Sequence, residues 1–431
     1  MLKKRVVAAV VAALMAGSAS AVTVNPDGVG DMLVAPAYFI GGGLTTELQV
    51  VNTSSTYSTV AKLVFRNRND SAEILDFLIY LSPNDVWNGK ISCAETNPVT
   101  NLCTKSVVES SDDSTLMPTG TSFATAEAPF RVEATVASQT TGTSALTNEG
   151  YIDIEMGPAF NIAPNQAPKA GVSKAAVLAA YEARRATAVP VSALETPNIL
   201  TGTVKVNVPA HGTASIPMLA LADYDTSIVP AIGEASGFDV LGQRTSLADV
   251  EEALWKNNIA VPYSMNASGW SLTTMTFPTK LTYRGNNNGN QYAFPLKTAA
   301  NPTAPVCYTV DMFDNTEQTV VGGRINISPL PTNQPSCATE MDFKLFGQAG
   351  MLTPFSSGWA RIRFSAPETV ESQILNPADN RNFRAGTPRS GVPVIATYMI
   401  KGATGDLTWA YAASSFTQPG TLNGNTNLSA R

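Results

Sequence analysis

Residues 44–91 constrain the fold more than any other stretch. TELQVVNTS sets Leu48 and Val50 on one face, and VAKLVFRNRND alternates Ala61, Leu63 and Phe65 against Lys62, Val64 and Arg66. A repeat of two is the pleat of a β-strand and cannot be a helix face, which repeats every 3.6 residues. The next run, EILDFLIYLSP, is apolar almost throughout, as a strand covered on both faces is. Pro83 presets φ for a turn, and Asn84 and Asp85 favour it through local side-chain hydrogen bonds. Val86, Asn88 and Lys90 then alternate with Trp87, Gly89 and Ile91. LIYLSPNDVWNGKI therefore reads as two strands and their turn, with Trp87 packed inward.

The same pattern recurs. LTNEGYIDIEMG (146–157) places Tyr151, Asp153 and Glu155 on one side and Ile152, Ile154 and Met156 on the other, which predicts an exposed acidic strand face. A Pro/Ala/Asn-rich connection follows, then SKAAVLAAYEARRA (173–186), a predicted helix capped by Ser173 with Arg184 and Arg185 at its C-terminal dipole. Strands return over 200–221. TSLADVEEALWKNN (245–258) predicts a second helix, with Ser246 and Asp249 at capping-box spacing and a stripe of Leu247, Val250, Ala253 and Leu254. From 269 onward the chain again reads as β. The expected fold is mainly β: immunoglobulin-like antiparallel β-sandwich modules with helical insertions. The expected division is a signal peptide over 1–21, an N-terminal sandwich over 22–160, a mixed segment of two helices and a strand pair over 161–262, and a C-terminal sandwich region over 263–431.

Lys3, Lys4 and Arg5 precede the short apolar run Val6–Met15, and Ala19-Ser20-Ala21 is a small-x-small cleavage site. This order predicts export, to the cell surface, the extracellular space or the periplasm. No later stretch approaches the roughly 18 apolar residues of a membrane-spanning helix. The net charge is −6, and removing Lys3, Lys4 and Arg5, the charged residues before position 22, takes it to −9. Such a chain has no electrostatic reason to seek nucleic acid. Four cysteines allow three pairings. The short loops favour Cys93 with Cys103 and Cys307 with Cys337, which an oxidising compartment permits.

The phrases GDMLVAPAYF, LQVVNTS, DFLIYLSPNDVWNG, GYIDIEMG, FPTK and GWARIRF…GVPVIA occur in this order. As a set they resemble a loosely defined group of uncharacterised exported, surface-type proteins of Gram-negative bacteria. The resemblance spans most of the chain beyond residue 21. It implies a cell-envelope or extracellular place and transfers no catalytic residue.

The chemistry is limited by what is missing. His211 is the one histidine, in the strand corner VPAHGTAS, and no Gly-x-Ser-x-Gly elbow accompanies it. No phosphate-binding loop or dinucleotide fingerprint is present. Carboxylate pairs of the glycosidase kind need no histidine and stay open. DYDTS (223–227) reads as loop. Asp311, Asp314, Asn315 and Glu317 in DMFDNTE are oxygen donors of the kind calcium takes, without EF-hand spacing. Glu109, Asp112 and Asp113 form a weaker acidic group. Trp87, Trp255, Trp270, Trp359 and Trp409 are dispersed along the chain, and packing accounts for most of them.

Taken together, the residues predict a non-enzymatic cell-surface or extracellular protein that acts by assembly, with itself or with other surface proteins, and binds no cofactor beyond a candidate Ca²⁺. A soluble glycan- or peptide-binding protein is the alternative. A carboxylate-based hydrolase is the third reading.

Overall fold

The computed structural model describes residues 22–40, 43–68, 71–99, 103–110, 115–116, 127–129, 148–157, 159, 176, 177, 179, 181, 183, 197–224, 237–240, 245, 247–264, 270–283, 294, 306–315, 319–320, 336–338, 341–346, 357–364, 391–404, 407–414 and 416–419. The strands in chain order begin with β1 (Thr23–Val24), β2 (Met32–Phe39), β3 (Thr45–Asn52), β4 (Thr59–Asn67), β5 (Glu73–Leu81), β6 (Val86–Thr96), β7 (Cys103–Glu109) and β8 (Thr115–Leu116). Next come β9 (Glu127–Pro129), β10 (Glu149–Met156), β11 (Leu200–Val208), β12 (Gly212–Pro217), β13 (Leu219–Ala222), β14 (Trp255–Ser264), β15 (Trp270–Thr276) and β16 (Val306–Asp314). The last are β17 (Thr319–Val320), β18 (Ser336–Ala338), β19 (Met341–Phe346), β20 (Ser357–Phe364), β21 (Val392–Pro393), β22 (Ile395–Thr404), β23 (Leu407–Ser414) and β24 (Phe416–Pro419). Helix α1 spans Leu247–Leu254.

Among the described residues all pairings are antiparallel and make four sheets. Sheet I runs β1-β13-β2-β10-β4-β5-β8, and sheet II runs β12-β11-β3-β6-β7-β9. Sheet III runs β17-β16-β20-β14-β21, with β18 also on β16 and β24 also on β14, and sheet IV runs β19-β15-β22-β23. The molecule is mainly β, with sandwich packing. Sheet I packs on sheet II through Leu48, Val50, Leu63, Phe65 and the inward Trp87, joined by Tyr38 and Phe77. Phe65 stacks on Phe77 at 5.7 Å, Phe77 meets Trp87 at 5.7 Å, and Tyr38 meets Phe65 edge-on at 6.2 Å. Trp87 is fully buried, and its ring lies over Gly89, where an added Cβ would sit 2.2 Å from it.

The turn after β5 closes through Asp85, whose Oδ2 accepts from both the amide and the hydroxyl of Ser82 at 2.9 Å. Asn84 takes φ +58°, a conformation that asparagine tolerates.

Sheet I has a second covered face, and this reshapes the expected domain plan. All eight residues of β2 and all nine of β4 are buried. A second core runs from Met32, Val34 and Tyr151 through Phe238, Val250 and Leu254 to Ile259, Tyr308, Ile362 and Phe364. Sheet IV joins the first core through Met341 and Met399, and Thr276 donates from Oγ1 to the Pro36 carbonyl at 2.7 Å.

Strands β11, β12 and β13 lie in sheets I and II, so the strand pair expected in a mixed segment over 161–262 completes the first sandwich instead. The helix expected over 245–258 ends at Leu254, and Trp255–Ser264 is a strand of sheet III held on both sides. Of the helix expected over 173–186, positions 176, 177, 179, 181 and 183 are helical, and Tyr181 packs edge-on against Tyr80 at 5.8 Å. In sheet I β10 lies between β2 and β4, and in sheet II β11 lies between β12 and β3, so both sheets include strands from distant parts of the chain. Among the described residues, no helix is long and apolar enough to cross a membrane.

Candidate functional site

Two polar constellations stand out, one enclosed and one on the surface. The enclosed one occupies the second face of sheet I. The strand face expected to be exposed is buried: Asp153 and Glu155 are 0% and 1% exposed, as are Lys62 and Asp76 within the same limits. Lys62 Nζ lies 2.9 Å from Asp76 Oδ2. Arg66 donates from Nε to Asp153 Oδ1 at 2.6 Å and from Nη2 to Asp153 Oδ2 at 2.9 Å, a bidentate pair, and from Nη2 to Asp239 Oδ2 at 2.8 Å.

Tyr224 and the turn Gly237–Val240 pack on this face. Tyr224 donates its amide to Asp31 Oδ1 at 2.9 Å and its hydroxyl to the Gly237 carbonyl at 2.8 Å. The amide of Gly237 donates to Glu155, and that of Phe238 to Asp153 Oδ2 at 3.3 Å. Sheet I thus presents carboxylates to the unpaired amides of a short 3₁₀ turn, Gly237–Val240, which satisfies donors that would otherwise be stranded. Gly237 has φ +56°, and a Cβ there would come within 2.2 Å of Asp153 Oδ2. Burial pushes the Asp153 carboxyl up, against the pull of Arg66. Burial pushes Asp31 up to about 8, opposed by the Tyr224 amide and assisted by Asp223 and Glu155. The network joins Tyr224 and the Gly237–Val240 turn to sheet I, and Asp153 and Glu155 present no carboxylate to solvent.

The surface constellation lies on the outer face of sheet III. Met312, Ala360 and Ile362 enter the second core, so their neighbours Asp311, Phe313, Trp359, Arg361 and Arg363 face outward. The register sets Phe313 opposite Trp359, Asp311 opposite Arg361 and Thr309 opposite Arg363. The Phe313 and Trp359 rings stack at 4.0 Å with 8° between their planes, and the Arg361 guanidinium sits 5.4 Å from the Phe313 centroid. Asp311 is 1% exposed beneath two half-exposed arginines. Arg361 donates to Asp311 Oδ2 from Nε at 3.2 Å and Nη2 at 3.0 Å, and Arg363 Nη2 donates to Oδ1 at 3.0 Å.

This arrangement bears directly on the calcium expectation. Asp311 already has two guanidinium partners. Asp314, three residues on in a regular ladder, lies on the opposite face. Asn315 donates from Nδ2 to Ser357 Oγ at 3.0 Å, and Glu317 lies outside the described residues. Among the described residues, no group of three or more His, Cys, Asp or Glu side chains is placed to hold a metal ion.

Cys93 and Cys103 form a disulfide with Cα atoms 5.7 Å apart, and β16 and β18 set Cys307 directly opposite Cys337. His211 is at an exposed turn, its Nδ1 2.9 Å from the Pro209 carbonyl. Glu109 lies 3.9 Å from Lys90 at the surface, and Asp112 and Asp113 lie outside the described residues. Trp409 is opposite Gly402 in β23.

No family model, curated protein or solved structure matches the chain. The reading of function therefore rests on its own residues.

Proposed function

We propose that this is a non-enzymatic exported protein of the cell surface or extracellular space, built of immunoglobulin-like sandwich modules with helical insertions, that acts by assembly or surface attachment. The observation that carries the reading is the outer face of sheet III. There a stacked Phe313–Trp359 pair and two half-exposed arginines stand on a rigid strand ladder. Aromatic and arginine side chains are the groups on which contact energy concentrates. The export-type N-terminus, the resemblance of the strand phrases to those of surface-type proteins and the inward, paired setting of the sheet I carboxylates all support it. The Arg-filled coordination of Asp311 favours attachment that does not depend on calcium.

The test is fractionation of the native cells, with light scattering and negative-stain imaging of the protein lacking residues 1–21, with and without Ca²⁺. Surface retention or ordered assemblies are the expected result. A stable monomer found only in the medium or periplasm overturns the reading. The same outer face also favours a second reading, a soluble extracellular glycan- or peptide-binding protein, because stacked aromatics beside guanidinium groups suit a small ligand.

A further inference from the structure

We infer that the outer face of sheet III is a binding platform for a negatively charged saccharide, with Trp359 supplying the stacking surface and Arg361 and Arg363 the anion contacts. The inference rests on the attachment reading above and names what the surface attaches to.

Four observations lead there. First, the aromatic pair is on the solvent side of a sheet whose other side is fully packed, so core formation does not explain it. Trp359 is 36% exposed, one of few large apolar groups so placed among the described residues. Second, β14 sets Pro262 beside Trp359 and Ala260 beside Arg361. Phe313 covers one face of the indole, and on the β14 side the neighbours of Trp359 and Arg361 are the smaller Pro262 and Ala260.

Third, the charges do not cancel. One carboxylate, Asp311, lies between two guanidinium groups, which leaves a local excess of one positive charge on a chain whose net charge is −6. Asp311 takes two donors from Arg361 and one from Arg363, whose Nε also lies 3.0 Å from Asp311 Oδ2. A guanidinium carries five, so each arginine has donors that Asp311 does not take. The exposure of 39% and 47% places those donors at the surface. Fourth, the donors are held before any ligand arrives. Asp311 holds both arginines, and the Phe313 ring centroid lies 5.4 Å from the Arg361 guanidinium. Pre-arranged forks lose little entropy on binding.

A pyranose offers an apolar C–H face for the indole, and a carboxylate or sulfate on it offers oxygens in the spacing of an arginine fork. A folded protein partner fits less well, because this face has only a handful of side chains where a stable protein interface takes roughly 20–30 residues a side.

The experiment is calorimetry of the protein lacking residues 1–21 against uronic-acid oligosaccharides, sulfated oligosaccharides and neutral oligosaccharides of the same length. The expected result is binding of one or both charged series, weakening with salt, and none of the neutral series. Trp359→Ala and Arg363→Gln are each expected to weaken it by about tenfold or more. Arg363→Gln leaves the aromatic stack untouched, so it remains decisive if Trp359→Ala fails to fold. A carboxylate preference or a sulfate preference identifies the anion.

Absence of binding to both charged series overturns the inference, as does binding that both variants retain in full. Loss of self-association in the variants, without saccharide binding, makes this face an interface between copies and also overturns it. Surface retention in cells is scored in parallel. If the variants stay on the surface and no saccharide binds, this inference falls while the attachment reading stands. If the wild-type protein is a free monomer, the attachment reading falls by itself.

Discussion

Asp31→Asn is expected to stabilise the protein, by an amount that grows as pH rises. Asp31 is fully buried between β1 and β2, with Oδ1 taking the Tyr224 amide and Oδ2 lacking a hydrogen-bond partner among the described residues. Burial is the main cause of its rise from 3.8 to about 8, and Asp223 and Glu155 add to it. The unfolded carboxyl loses its proton near pH 4, whereas the folded one keeps it to about 8. The folded state therefore binds more protons in that window, and stability falls as pH rises through it. At about 1.4 kcal/mol per pH unit, the loss is roughly 4 kcal/mol by pH 7 and on the order of 6 kcal/mol by pH 8.

Asparagine has the shape of the protonated acid, keeps the acceptor for Tyr224 and carries no charge at any pH. Urea denaturation of both proteins at pH 4.5, 6, 7 and 8 should give curves that nearly coincide at the lowest pH. They should separate by several kcal/mol at the highest, with the Asp31→Asn variant the more stable. Two proteins whose difference does not change with pH would refute the argument, because that result requires Asp31 to be ionised in the fold or exposed to water.

Arg66→Met leaves Asp153 buried without its bidentate partner and should cost about 3–5 kcal/mol, and adding Asp153→Leu should restore much of that loss, read by urea midpoints. Trp87→Ala empties the space between Phe77 and Gly89 and should cost about 3–5 kcal/mol in the same assay. Replacing Cys93 and Cys103 together by serine opens a loop of sequence separation 10 and should cost about 2–3 kcal/mol. Cys307 and Cys337 are opposite each other in the β16–β18 ladder, and peptide mapping without reductant should recover them as one linked pair.

Period-two alternation made the strands from 44 to 91 legible, together with the turn at Pro83–Asp85 and the inward Trp87. Those features depend on contacts between near neighbours. The same alternation misled at Asp153 and Glu155. A polar strand face looks alike whether water or a second layer covers it, and here the covering turn, Gly237–Val240, is more than eighty residues away from Asp153 along the chain. Distance of that kind also hid the extent of the first sandwich, since β11 to β13 join it from beyond Leu200 while β10 ends at Met156. At Trp255 the apolar stripe of the helix continues in the sequence, but the ladders to β20 and β24 claim that segment, and local propensity yields to pairing context of this kind.

The outer face of sheet III was half visible. GWARIRF carries Trp359, Arg361 and Arg363 on one face and Ala360, Ile362 and Phe364 on the other, and DMF carries Asp311 and Phe313 on one face of β16. Neither strand alone is more than an amphipathic run. Only the register, which no local pattern encodes, lays the aspartate beneath the two arginines and the two rings against each other. The donors that suggested calcium separate for the same reason. Asp311 and Asp314 are close in sequence but opposite in the pleat, and the charge that neutralises Asp311 comes from a strand about fifty residues on.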